Sequence, residues 1–317
     1  MKRLFVMLLC LFSSQVVAEA ITPDPLELSL MSGHETSLEY KMGTDLRRLL
    51  KLHHIDLQVI PSSGAVENMV KVYEFPSIQL GIVPMDTLTY QSLYPLAQEF
   101  GVSAELQNIV STMQLVLPLY AQTLHLIAPI NLKQINDLNG KRIAIGRRSS
   151  GTHGSALSLL QLFRIKPDKL LPIDAPQALE LMQAGRLDAA FHVAPLPDKQ
   201  LNLVLQDTDK FHCLPIDLTQ VPDQQLFAPL YQTAKISPQH YPWQPDTVSS
   251  LSVRTSLITT DTGDCAAVAK LARLVYDNLD WLQQHGHEKW REVTFDKAQL
   301  LAHRSLSPCV KTALQAH

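Results

Sequence analysis

Hydrophobic positions along the chain fall into two rhythms that alternate. Leu26 to Ser32 reads as a strand and Gly33 to Ser37 as a loop of small and polar residues; Met42, Leu46, Leu49 and Leu50 then place apolar side chains on one face of a helix. Leu57 to Ile60 reads as a second strand and Ser62-Ser63-Gly64 as a turn. Val66 to Tyr73 follows as a helix that Ser63 caps, and Gln79 to Val83 as a third strand. The rhythm then restarts. Strands at Thr123 to Ala128, Arg142 to Gly146 and Leu187 to Val193 alternate with a short helix or turn at Leu132 to Leu138 and helices at His153 to Phe163 and Leu179 to Met182. An extended apolar stretch, Thr247 to Thr260, leads into a long helical pattern from Ala266 to Leu282.

Strand–helix–strand units predict open, mostly parallel sheets covered by helices, with ligands held at the loops that follow the strands. Two such sets in one chain predict an α/β protein of two lobes with a cleft between them. The expected division is residues 21–121 and 241–317 for the first lobe and 122–240 for the second, with a hinge near Tyr120 to Thr123 and near Tyr231 to Tyr241.

The first twenty residues add a compartment. Lys2 and Arg3, the apolar run Leu4 to Phe12 and the polar stretch Ser13 to Ala20 form a secretory signal over residues 1–20, with cleavage expected near Ala18 or Ala20 and export to the periplasm. Cys10 is followed by Leu11, which argues against a lipoprotein signal. The richest later segment, Leu115 to Ile130, is broken by Pro118, Gln122 and His125 and falls short of the roughly 18 apolar residues of a membrane span. With 46% hydrophobic and 18% charged residues the 317-residue chain is too apolar to be disordered, and its net charge of -3 offers no basic face to a nucleic acid. His53-His54 and His285-Gly286-His287 lack a neighbouring constellation with ligand spacing, so neither a metal nor another cofactor is expected.

Five segments together carry a family likeness. They are the loop from Leu30 through Ser32-Gly33-His34 to Tyr40 and Gly43; Ser63-Gly64-Ala65-Val66-Glu67-Asn68 with Leu80 to Asp86; Leu138 to Gly146 running into Ser150-Gly151-Thr152; Gly185 to Ala194, with Asp188-Ala189-Ala190-Phe191-His192; and Leu306-Ser307-Pro308-Cys309. In order and spacing these resemble the TRAP-associated extracytoplasmic immunogenic (TAXI) family, receptors that feed tripartite ATP-independent periplasmic transporters. The likeness covers nearly all of the chain after the leader. Its departures lie in the first binding loop, where Gly33-His34-Glu35-Thr36-Ser37 replaces a run that is mostly glycine, and at Pro84, where the family commonly has Gln. The resemblance implies a type II-like periplasmic binding protein, monomeric, with a small organic anion and the TRAP membrane subunits as partners. Cys309 stands where the family commonly has Gly, which suggests a disulfide with Cys265 and leaves Cys213 free.

Ser150-Gly151-Thr152 closes a strand and opens a helix, so its amides lack intrahelical partners and the helix dipole favours an anion there. The same residues also suit an ordinary N-cap. Arg147 and Arg148 are placed to pair with a carboxylate, or simply to be solvated. Across the cleft are expected Ser32, Gly33 and His34, with Tyr40 as an apolar wall and Met85 and His192 completing the ligand set. A carboxylate is expected, with a dicarboxylate or an amino acid as variants. Ser150 with His153 is the nearest approach to a hydrolase pair, but no Gly-x-Ser-x-Gly elbow surrounds it. The reading is therefore a binding protein rather than an enzyme. A ligand sensor without transport and a periplasmic hydrolase are the alternatives.

Overall fold

Strands β1 (Leu26–Met31), β2 (Ile55–Ile60) and β3 (Leu80–Pro84) run parallel with β1 in the middle, and helices α1 (Leu38–Lys51) and α2 (Ala65–Glu74) make the crossovers. Helix α1 begins where the Ser37 hydroxyl accepts from the Tyr40 amide, and it buries Met42, Leu46, Leu49 and Leu50. In α2 the cap is Gly64, which makes no side-chain bond; Ser63 instead donates its amide and hydroxyl to Glu67. Two further helices, α3 (Met85–Ser92) and α4 (Ala104–Thr112), lead into the long strand β4 (Met113–Pro129). The computed structural model describes residues 26–92, 104–205, 209–221 and 230–316, so the leader and its cleavage positions lie outside the described residues.

A second parallel set follows. It comprises β5 (Arg142–Ala144), β6 (Lys169–Leu171) and β7 (Ala189–Ala194), with helices α5 (Gly151–Leu162) and α6 (Ala175–Gln183) between them. Helix α7 (Lys199–Leu205) and strands β8 (Phe211–Cys213), β9 (Tyr231–Ile236) and β10 (Val248–Thr260) come next. The chain closes on helices α8 (Cys265–Asp277), α9 (Leu279–His285), α10 (Lys297–Ala302) and α11 (Pro308–Gln315). The long helix expected over Ala266 to Leu282 is thus two helices, divided at Asn278.

The two parallel sets are joined into one sheet of order β2-β1-β3-β10-β4-β7-β5-β6, with β8 on β4 and β9 on β10. Antiparallel β4 and β10 make the join. Along β4, Leu115 to Tyr120 pack in the core under α1 and α8, whereas Leu124, Leu126 and Ala128 pack under α5. Along β10 the order is reversed: Leu251 and Val253 belong to the second core and Leu257 to the first. The chain therefore passes between halves at Ala121 to Thr123 and at Arg254 to Ser256, where the β4–β10 register also shifts. Tyr241 and Trp243 are buried with Ile236 in the second half, which puts the return passage later than the connection near Tyr231 to Tyr241 that the sequence suggested. Among the described residues no helix is long and apolar enough to cross a membrane.

The halves also touch away from these strands. The Val66 amide donates to the Ser149 carbonyl at 3.1 Å. Gly64, at φ +137, leaves no room for a Cβ, which would meet that carbonyl at 2.6 Å. From α3, fully buried Asp86 accepts from the Tyr231 hydroxyl of β9 at 3.2 Å and has the Ser155 hydroxyl beside it, while the neighbouring Thr87 hydroxyl has no partner among the described residues. Burial pushes the Asp86 carboxyl up to about 6, only partly offset by its hydrogen bonds.

Cys265, at the start of α8, and Cys309, at the start of α11, form a disulfide across 44 residues, and Cys213 is buried and free. A loop of that size stabilises by about 3–4 kcal/mol on chain-entropy grounds. The double variant Cys265→Ser/Cys309→Ser is expected to melt roughly 5–10 °C below the parent under non-reducing conditions, measured by calorimetry. Asp86 makes a pH-dependent forecast. Its folded pKa lies above the ordinary 3.8, so the folded state binds the proton more tightly; stability is lost as pH rises towards 6 and regained on acidification. Above pH 6 the charged form costs up to roughly 3 kcal/mol. Asp86→Asn, which keeps an acceptor for Tyr231, is expected to melt above the parent at pH 7.5 and to lose that advantage by pH 4.5; a lower melting temperature at both would show that the charge is stabilising.

Candidate functional site

The C-terminal ends of the strands open on a cleft of about 820 Å³ whose walls come from both halves. One wall is the start of α1, with His34, Thr36, Ser37 and Lys41, backed by His287 to Glu292. Asp45 holds that backing in place: its carboxylate accepts from the His287 amide at 2.7 Å and the Trp290 indole at 3.1 Å. The opposite wall carries Gly146, Arg147, Ser150 and Thr152 at the start of α5, Asp174 at the start of α6, and the segment from His192 to Gln200 that leaves β7.

The α5 wall is built by its own side chains. Ser150 is the N-cap, its hydroxyl accepting from the His153 amide at 3.1 Å. Thr152 Oγ1 accepts from the Val193 amide at 3.1 Å, which ties the helix to β7. The first two amides of the helix, those of Gly151 and Thr152, precede any intrahelical partner. Ser149 stands at φ 71, a left-handed conformation uncommon for a side-chain-bearing residue, in the turn that aims these amides. The imidazole of His153 lies 3.3 Å from the Gly146 carbonyl, not against Ser150; burial, followed by Arg148, lowers its pKa despite that bond.

Charge in the cleft is mixed. Arg147 lies 3.8 Å from Asp174, both partly exposed, so this ion pair is weak. Lys289, buried, pairs with Glu292 at 2.6 Å. His192 Nε2 lies 3.5 Å from Asp198. Burial raises the Asp198 carboxyl, but His192 and the Leu201 amide outweigh it and hold the pKa below the ordinary range. Lys41 and Lys199 have no ion pair among the described residues; nor does Glu288 at the same rim. Behind His192 a buried chain continues: the Asp198 amide donates to Tyr241 Oη at 2.7 Å, and that hydroxyl lies 2.9 Å from His125 Nε2. Burial, then the neighbouring His192, drops the His125 pKa to about 3, so this imidazole is neutral.

Of the residues expected to bind ligand, the cleft brings together His34, Arg147, Ser150, Thr152 and His192. It does not include the other six. Ser32 is buried at the end of β1, its hydroxyl donating to the Ile60 carbonyl and its own carbonyl accepting from Asn68. Gly33 is buried too, its carbonyl accepting from the Ser62 amide. Tyr40 packs against the first core, and Arg148 is exposed outside the cleft lining. Gly151 faces the Pro84 ring, which a Cβ would meet at 2.8 Å, so its lack of a side chain serves contact between the halves. Met85 lines a separate cavity. Sequence reasoning missed Lys41, Asp174 and Asp198. Asp174, which caps α6 ahead of a proline, was detectable as a helix start; Asp198 follows a turn through the cis Leu196–Pro197 bond that no local pattern announced.

Among solved structures the chain is similar to XAC2383 from Xanthomonas citri bound to ATP, at 10% identity over 91% of this chain and 94% of that one, with a TM-score of 0.53. It is also similar to a TctC solute binding protein from Polaromonas (13% identity, 85% of this chain and 88% of that one, TM-score 0.46). The periplasmic aliphatic sulphonate binding protein SsuA from Escherichia coli aligns at 15% identity over 82% of this chain and 78% of that one, with a TM-score of 0.40. The first of these likenesses supports the α/β fold described above. The NMT1-like family model matches residues 31–313, from the end of β1 to α11, and the chain belongs to the NMT1-like family.

Proposed function

We propose that this chain is a solute-binding receptor of the periplasm that captures a small organic anion in the cleft between its halves and delivers it to a membrane transporter, of the TRAP type that the TAXI resemblance implies. Residues 21–121 and the C-terminal segment act as one lobe and the residues between as the other, with the passages in β4 and β10 as the hinge. The observation that carries the reading is the convergence on one cleft of the start of α5 at Ser150 and Thr152, the Arg147 side chain and the Lys41 side chain. Partial positive charge at a helix start and cations free to turn towards a ligand suit a carboxylate. Glu288 and Asp198 at the same cleft give an amino group a place to bind, which keeps an amino acid among the candidates. The hydrolase alternative loses its pair, because Ser150 accepts from the backbone of His153 and the His153 ring bonds elsewhere.

The test is calorimetric titration of the protein, freed of retained ligand by partial unfolding, with a panel of small monocarboxylates, dicarboxylates and amino acids. Arg147→Gln and Lys41→Gln are each expected to weaken binding roughly tenfold to a hundredfold, the loss of one charge-assisted hydrogen bond. Arg148→Ala is expected to leave affinity unchanged. Intact affinity in both cleft variants would overturn the reading. Thr152→Val separates a structural from a binding role: stranding the Val193 amide costs about 1–3 kcal/mol of stability, seen as a lower melting temperature.

A further inference from the structure

A second cavity, of about 310 Å³, lies beside the passage of β4 and β10 between the halves and shares no lining residue with the cleft. Its walls are Met85 and Leu115 of the first half, Gln232 of β9 in the second, Arg254 and Ser256 of β10 at the passage itself, and the turn and helix around α10. Arg254 is half-buried, and its guanidinium has one bond among the described residues, from Nη1 to the Leu119 carbonyl at 3.0 Å. Among the described residues no carboxylate pairs with it, and burial draws its pKa down. Ser256, 1% exposed, has a hydroxyl without any partner among the described residues. The amides of Gln232 and Gln299 and the imidazole of His303 add donors around the same space.

A guanidinium taken partly out of water is costly unless an anion meets it, and a buried hydroxyl without a partner costs further free energy. Both costs fall on neighbouring positions of one strand, and both groups border one cavity. Asp296 is the acid in the lining, and its Oδ1 is engaged by the Gln299 amide at the start of α10 at 3.0 Å. Its charge sets an upper limit on how much negative charge the cavity accepts.

We propose that this cavity is a second binding site, for a single small oxyanion group, either an inorganic oxyanion such as phosphate or the carboxylate of a small organic acid, held by Arg254 and Ser256. Because its walls come from both halves and from the passage strand, an anion there bridges the halves independently of the ligand in the cleft.

Two probes distinguish the sources: inorganic phosphate and acetate, each titrated into the full chain carrying Arg147→Gln, so that the cleft contributes little. Saturable binding of one or both is expected, with a rise in melting temperature that adding Arg254→Gln weakens roughly tenfold to a hundredfold. Ser256→Ala, the milder change, is expected to weaken it less but in the same direction, and serves if Arg254→Gln fails to fold. Binding of phosphate alone assigns an inorganic site and of acetate alone an organic one. No saturable binding of either probe in the Arg147→Gln background overturns the proposal and leaves the cleft reading standing; so does binding that neither Arg254→Gln nor Ser256→Ala weakens.

Discussion

Everything in this fold depends on two antiparallel strands that each belong to two cores. β4 is seventeen residues long and buried along most of its length, and β10 runs beside it with its first half in one core and its second half in the other. A strand buried on both faces gains from every apolar side chain, of the order of 1.5–3 kcal/mol for each large one. This accounts for the near-continuous run from Leu115 to Ala128. The exceptions mark the passage. Gln122, at the passage, and Tyr120, the last first-core residue before it, donate to Glu39 at the start of α1 at 2.7 and 3.0 Å, so this stretch of β4 is held by polar bonds to the element that walls the cleft. Geometry at the cleft and geometry at the passage are therefore set together.

The seam between the halves is polar where the cores are not. Val66 to Ser149, Tyr231 to Asp86 and the close approaches of Gly64 to Ser149, Gly151 to Pro84 and Gly154 to Thr87 all join first-half and second-half residues. These glycines allow close approach, to the Ser149 backbone at Gly64, the Pro84 ring at Gly151 and the Thr87 side chain at Gly154. This contact buries the Asp86 carboxyl, whose pKa burial pushes up to about 6, and the Thr87 hydroxyl, which has no partner among the described residues.

The first parallel set and most helices were legible in the sequence because each rests on local periodicity, α1 from Met42, Leu46, Leu49 and Leu50 and β2 over Leu57 to Ile60, whereas the three-residue β6 carries too short a pattern to read. The start of β4 was not, since Met113 to Gln122 has no alternation to read when both faces are buried. Nor was the place of the return passage, because the allegiance of Tyr241 and Trp243 to the second core is a tertiary fact. At the site, the loop after β5 was legible from Ser150-Gly151-Thr152, whose small residues announce a helix start. Ser32, Gly33 and Gly151 lie outside the cleft lining for one reason: a small residue at a strand end serves close packing as readily as ligand approach, and here Ile60, Ser62 and Pro84 lie against them.

That reassignment changes what kind of recognition the cleft performs. With the Ser150 oxygen committed to the His153 amide and the Thr152 oxygen to the Val193 amide, neither hydroxyl accepts from a ligand at no cost to the fold. Both protons remain available, so towards the cleft these residues act as donors, as does the Thr152 amide. Lys41, Lys199 and Arg147 are donors as well, and the acids nearest them are partly satisfied by His192, Lys289 and the α6 amides. The uncommitted polar groups of the cleft are thus chiefly donors, and a negatively charged group of a given size would find more partners there than a neutral amide or alcohol.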